Sequence, residues 1–259
     1  MSQGLGTFGV ALSEWVGAFS WVVENVVWVI LVVLALRLWT YLRTKRPAQN
    51  LWKIKEKDRV SFVITSSPVP DPAEYSDLVY PAEARGIGEI EAFLQQTFKG
   101  IEPRVALSNS THAEHLRQHL IVIGGPVHNQ VTREALEHMN TSLAHFEGNK
   151  LVMKAGEWTQ EAVVDDEGGI TRDVGLVIMS KNPWNPKKRL VVLAGSRTYG
   201  SLAAARAVVR SDVKSTQKAI KEVLKKSDTR VAFAVTSTVR DGDVFNVEVQ
   251  RDSITSESS

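Results

Sequence analysis

The chain has 259 residues, a formal net charge of +2 and no cysteine. That length holds one ordinary domain and a further segment. The absence of thiols excludes disulfides and thiolate chemistry and suits a reducing compartment, and the small net charge gives no ground for nucleic acid as a partner.

In the first twenty residues Gly6, Gly9, Ser13, Gly17 and Ser20, followed by Glu24, recur at helical spacing and fall on one narrow arc. Small residues on one face let helices approach closely in lipid, which predicts homo-oligomer formation through this segment. The opposing reading makes residues 1–20 a disordered or interfacial segment, with Glu24 among the outer headgroups. Residues 21–42 form an apolar run interrupted by Glu24, Asn25 and Arg37, with Trp21 at one end and Trp39 and Tyr41 at the other. A spanning helix needs about 20 such residues, with aromatics at its ends, so one transmembrane helix and a lipid bilayer as partner are expected. No Lys or Arg precedes the run, whereas Arg43, Lys45, Arg46, Lys53, Lys55, Lys57 and Arg59 follow it. That asymmetry places the N-terminus outside and the C-terminal domain in the cytoplasm. Residues 43–58 read as a basic juxtamembrane linker touching anionic lipid, with a continuing helix end as the alternative for 44–58.

Residues 59–251 alternate between strand and helix patterns. "RVSFVITSSP" (59–68) reads as a strand and is followed by a polar loop to about Arg85. "GIGEIEAFLQQTFKG" (86–100) is an amphipathic helix ending at a glycine cap. "PRVALS" is a short strand and "AEHLRQH" a short helix. "LIVIGG" (120–125) is a continuous apolar strand of the kind buried on both faces. A helix over "QVTREALEHMN" and strands over "KLVMKA" and "RLVVLAG" follow. Between those two strands lies a hairpin turning at Asp166 to Gly169, and residues 200–226 are helical. A last hairpin turns at Asp241-Gly242, and residues 252–259 form a frayed tail. The pattern predicts an α/β, Rossmann-like, mostly parallel sheet with some antiparallel strands.

Ligands of open α/β sheets bind beyond the carboxyl ends of strands, and three glycine-bearing turns are expected there. The first runs from Ser66 to "RGIGE", with Arg85, Gly86 and Gly88. The second is "IGGPVHN", with Gly124, Gly125, Pro126 and Asn129. The third is "AGSRTYGS", with Gly195, Ser196, Arg197, Thr198, Gly200 and Ser201. Glycines let backbone N–H groups approach an anion at a helix start, and Arg197 can pair a phosphate through two hydrogen bonds. For any one turn, a tight connection is the commoner use of glycine; the set together points to a shared cleft. Ser201 stands where a P-loop places lysine, so P-loop phosphoryl transfer is not expected.

All the histidines lie between His112 and His145. His115 and His119 have the spacing of a helical zinc pair, but the sequence between them is Leu-Arg-Gln with no third ligand apparent. No metal and no cofactor are expected. Glu89 and Glu134 are the acids placed for cleavage of a glycosidic bond, while Asp165, Asp166 and Glu167 suit an exposed turn.

With "GGP" at Gly124 to Pro126 and "AGSRTYGS" before an alanine-rich helix, the soluble part resembles the nucleotide-sensor group known as SLOG. More distantly, it is similar to the nucleoside deoxyribosyltransferase-like folds. The resemblance covers residues 59–226. It implies binding of nucleotide-derived signals, nucleotide cleavage in some members, and membrane-spanning partners in bacterial defence systems. The "GGxGT…E" arrangement of the nucleotide-cleaving relatives is missing, because Ser196 follows Gly195 and no Glu lies just beyond Gly200.

The expected function is therefore a single-pass membrane protein whose cytoplasmic domain senses a phosphate-bearing, nucleotide-like small molecule and relays its binding to the membrane segment. The alternatives are a membrane-anchored enzyme that cleaves a nucleotide N-glycosidic bond and a membrane-tethered protein-interaction scaffold.

Overall fold

The structure is a computed structural model that describes residues 26–39, 41–42, 46–68, 77–139, 143–153, 158–209 and 229–258. The chain divides into two units, Met1–Pro47 and Ala48–Ser259. In the first, residues 26–39 are helical and expose their Val, Leu, Ile and Trp side chains. The small-residue stripe and residues 21–25 of the apolar run lie outside the described residues. Among the described residues, no helix is long and apolar enough to cross a membrane.

The second unit is a mixed α/β fold. Strands β1 (Arg59–Ile64), β4 (Glu102–Leu107) and β5 (His119–Ile123) run parallel, as does the carboxyl half of β11 (Asn185–Gly195) against β5. Antiparallel strands β10 (Ile170–Asn182), β12 (Thr229–Arg240) and β13 (Asp243–Val249) extend this block, giving the order β13-β12-β10-β11-β5-β1-β4. The expected parallel core with added antiparallel strands is therefore present. Every residue of β5 is buried, because both faces of the sheet are covered.

Helices α2 (Pro81–Thr97) and α5 (Thr198–Val209) cover one face, over Phe62, Ile123, Leu193 and Phe233. The other face carries α4 (Gln130–Met139) and a separate antiparallel sheet of β6 (Ala144–Glu147), β7 (Lys150–Met153) and β8 (Thr159–Glu161), over Val63, Val122 and Val192. The small side chains of α5 allow it to lie close: a Cβ on Gly86 of α2 would meet Ala205 Cβ at 3.2 Å.

Several expectations need correction. Residues 48–54 are not linker: α1 (Arg46–Trp52) buries Ala48, Leu51 and Trp52, and Ile54 follows them into the core. Trp52 lies 6.1 Å from the Phe93 ring of α2. Helix α2 starts at Pro81 rather than at residue 86, because proline with its preset φ suits the first helical position. Arg85, Gly86 and Gly88 are therefore helical residues, not a turn. α3 (Ala113–Leu116) ends before His119, which opens β5, so His115 and His119 share no helix face. The tail is not frayed: β14 (Thr255–Ser258) pairs with Thr229–Ala232 of β12. The helix expected over 200–226 is seen to Val209, beyond which 210–228 lie outside the described residues.

The predicted hairpins are found. β9 (Val163–Val164) turns through Asp165–Gly169 into β10, with Asp165 Oδ1 accepting the Gly169 N–H at 2.6 Å. Asp241 and Gly242, both at positive φ, join β12 to β13. The short strands β2 (Ser67–Pro68) and β3 (Asp77–Leu78) pair with each other ahead of α2.

Candidate functional site: a cleft at the strand ends

The carboxyl ends of β1, β5 and β11 lie side by side, and a cavity of about 300 Å³ opens above them. Its floor is Gly125 and Gly195, whose backbones are adjacent: a Cβ on Gly125 would meet Gly195 O at 3.3 Å. Its walls include Tyr80 and Glu83 from the start of α2, His128 from the β5–α4 turn, and Ser196, Arg197, Thr198 and Ser201 from the start of α5. Phe146 and Asn149 of the β6–β7 hairpin complete it. The second and third expected turns thus meet in one cleft. At the first, the start of α2 stands in place of the "RGIGE" residues.

Glu83 is absent from the expected site residues, and it is the most unusual group in the cleft. It sits in the first turn of α2 and is only 4% exposed. Burial pushes its carboxyl up to about 7, against the opposing pull of the Thr65 hydroxyl and N–H beside it. Among the described residues, neither Thr65 Oγ1 nor Glu83 Oε2 has a hydrogen-bond partner. Gly124 makes room for both. Its φ is +118°, and any Cβ would run into Thr65 Oγ1 and come within 3.0 Å of Glu83 Oε1. The sequence signal for Glu83 is Pro81, which marks a helix start two residues earlier.

The "AGSRTYGS" turn is built differently from a phosphate cradle. The buried Asp173 of β10 reaches the start of α5 and accepts the N–H groups of Gly200 at 2.6 Å and Arg197 at 3.2 Å. A carboxylate at a helix N-terminus satisfies donors that lack an intrahelical partner. The anion at this helix start is thus the protein's own. Burial pushes Asp173 up to about 6, with the Val174, Gly200 and Arg197 N–H groups and the Arg197 charge pulling the other way. Gly195 and Gly200 serve backbone packing of α5 on the sheet: a Cβ on Gly200 would lie 2.9 Å from Gly195 Cα. Arg197 is exposed at the cavity mouth.

The remaining expected site residues have other partners. Asn129 is fully buried, donates Nδ2–H to Ile123 O at 2.9 Å and accepts the Thr132 N–H at 3.1 Å, so it caps α4 and ties it to β5. Asn129→Ala is expected to destabilise the fold by about 2 kcal/mol, read by urea unfolding, because it removes a cap and orphans buried groups. Pro126 is half-buried in the same turn. Ser66 is buried at the end of β1, its hydroxyl without a partner among the described residues. Arg85 pairs Asp243 at 3.1 Å. Gly88 sits on the open face of α2. Neither expected catalytic acid lines the cavity: Glu89 pairs the buried Arg206 at 2.8 Å, and Glu134 accepts a hydrogen bond from Gln130 on the exposed face of α4.

His119 lies at the opposite end of the sheet. Its Nδ1 accepts the Arg189 N–H, leaving Nε2 facing Asp58 at 3.2 Å, and burial lowers its pKa to about 4.

The class defined by fold and cleft is an α/β domain with a small cavity at the carboxyl ends of its parallel strands. No protein-family model matches the chain, and no curated protein matches it.

Proposed function

We propose that the chain is a single-pass membrane protein whose cytoplasmic, Rossmann-like domain binds a small phosphate-bearing, nucleotide-derived ligand and relays that binding to the membrane segment. The observation that carries the reading is the convergence of the β5–α4 turn, the β11–α5 turn and the start of α2 on one cavity, with Arg197 at its mouth. Cavities at this place in α/β sheets are the usual ligand sites. The membrane anchor rests on the apolar run 21–42 and on the exposed apolar side chains of 26–39, a surface that water disfavours.

One contact within the domain supports the relay. Helix α2 begins at the cavity with Tyr80 and Glu83 and carries Phe93 against Trp52 of α1, which directly follows the anchor in sequence. A ligand that moves the start of α2 acts on that contact.

The test is thermal unfolding of the full chain in detergent, with and without ribose 5-phosphate, AMP and inorganic phosphate. A ligand at a hundredfold excess over its dissociation constant stabilises by about 2.7 kcal/mol. The expected result is a rise in Tm with phosphate-bearing compounds that Arg197→Ala weakens about tenfold in affinity, since a charge-assisted hydrogen bond contributes about 1.5–3 kcal/mol. No rise with any phosphate compound, or a rise indifferent to Arg197→Ala, refutes the reading.

A second reading, cleavage of a nucleotide N-glycosidic bond, is favoured by Glu83, a carboxyl in the cleft whose raised pKa suits proton donation near neutral pH. It moves the acid from Glu89 or Glu134 to Glu83. Release of adenine from AMP, abolished in Glu83→Gln, distinguishes it from binding alone.

A further inference from the structure

The cavity has two chemically different ends. Among the described residues that line it, Arg197 is the one arginine or lysine, and it stands at the exposed mouth beside Thr198. The inner end is acidic. Glu83 lies there almost fully buried, with Oε2 unpartnered and the Thr65 hydroxyl, likewise unpartnered, at its side. The carboxylate of Asp173 already occupies the start of α5, so that helix end offers a phosphate little further attraction. A phosphate placed deep in the cavity would face Glu83 without a cation. A hydroxyl or amino group placed there would give Glu83 Oε2 a hydrogen-bond partner, and buried polar groups are normally satisfied.

Size adds a second limit. About 300 Å³ lies at the lower bound of ligand cavities. It suits one phosphorylated sugar or mononucleotide and is small for a dinucleotide. The rings of Tyr80 and His128, with centroids 6.2 Å apart, and Phe146 across the cavity supply flat surfaces for the ring of such a ligand.

We propose that the cleft takes a single sugar phosphate or mononucleotide in one orientation, with its phosphate at Arg197 and a hydrogen-bond-donating hydroxyl or amino group buried against Glu83. The inference rests on the phosphate-binding reading and deepens it. Glu83 is the specificity determinant and Arg197 the anchor. An ionised Glu83 accepts hydrogen bonds only, so the preference is for donors.

Calorimetric titration of the full chain in detergent at pH 8 tests this with three probes: inorganic phosphate, ribose 5-phosphate and cyclic di-AMP. Ribose 5-phosphate is expected to bind about tenfold or more tightly than inorganic phosphate, the value of one buried charge-assisted hydrogen bond. Cyclic di-AMP is expected to bind more weakly than ribose 5-phosphate. In Glu83→Gln the advantage of ribose 5-phosphate over phosphate narrows to about threefold or less, because the neutral amide replaces the charge-assisted bond with an ordinary one. Glu83→Asp, one methylene shorter, narrows it as well and serves as the second variant. Arg197→Ala weakens both small probes by a similar factor.

The outcomes separate the two levels. If phosphate and ribose 5-phosphate bind equally well and Arg197→Ala weakens both, the phosphate-binding reading stands and the orientation is wrong. The orientation is equally overturned if the ribose 5-phosphate advantage survives both Glu83 variants, or if cyclic di-AMP binds most tightly. If neither small probe binds and AMP does not bind either, both readings fall together.

Discussion

Gly200→Ala is expected to lower the unfolding free energy by about 3 kcal/mol or more, the upper end of what overpacking costs. Gly200 lies in the first turn of α5, where a Cβ would collide with Val174 O, come 2.8 Å from Val174 C and sit 2.9 Å from Gly195 Cα. These are backbone atoms of two central strands, and they cannot rotate away as a side chain can. Gly175 and Gly195 face each other across β10 and β11, and a Cβ on Gly175 would press into Gly200 O and come 3.1 Å from Ala204 Cβ. Three glycines therefore form one backbone-to-backbone contact that lets Asp173 reach the Gly200 N–H. An alanine that pushes α5 outward both strains the contact and stretches that hydrogen bond. Gly88→Ala, on the open face of α2 with nothing within 4 Å of its Cβ, is the control and is expected to be neutral or slightly stabilising. Urea unfolding of the two variants separates them; equal stabilities would show that α5 shifts without cost.

The same contact shows how far the sequence reads by itself. "LIVIGG" announces a buried strand and Asp241-Gly242 a hairpin, because each signal is local and its cause is local. The cleft was also legible, since strand ends carrying glycine turns converge whenever the strands run parallel. The roles inside it were not. Asp173 sits within an ordinary-looking strand, and its place beneath α5 follows only from β10 lying antiparallel beside β11. Strand order is a long-range property that residue spacing does not encode. "AGSRTYGS" reads as a phosphate turn because glycines that admit a ligand and glycines that admit a neighbouring backbone look alike in sequence. Residues 48–54 read as linker because Trp52 finds its partner, Phe93, some forty positions later.

Glu83→Gln is expected to gain stability relative to the wild-type chain by about 2.5 kcal/mol between pH 5 and pH 8, at about 1.4 kcal/mol per pH unit. The carboxyl is raised from an ordinary 4.5 to about 7 by burial. Because the folded form holds this proton to higher pH than the unfolded form, its contribution to stability is full below pH 4.5 and is lost as pH rises to about 7. Asp173, raised to about 6, contributes with the same sign over a lower range. His119, lowered to about 4, acts oppositely: its contribution is present above 6.5 and lost as pH falls towards 4. The wild-type profile alone therefore mixes rising and falling contributions, and a flat curve would carry no information about Glu83. Subtracting it from the Glu83→Gln profile removes what the two proteins share, since Asp173 and His119 are not direct partners of Glu83. Guanidinium unfolding at a series of pH values gives the difference. A difference that climbs through pH 6 to 7 and then levels off places an uncharged acid in the folded cleft at low pH and a buried carboxylate above neutrality. A difference independent of pH would mean that water reaches Glu83 and leaves its carboxyl ordinary. The cleft would then lose both its proton donor and the group that orients its ligand.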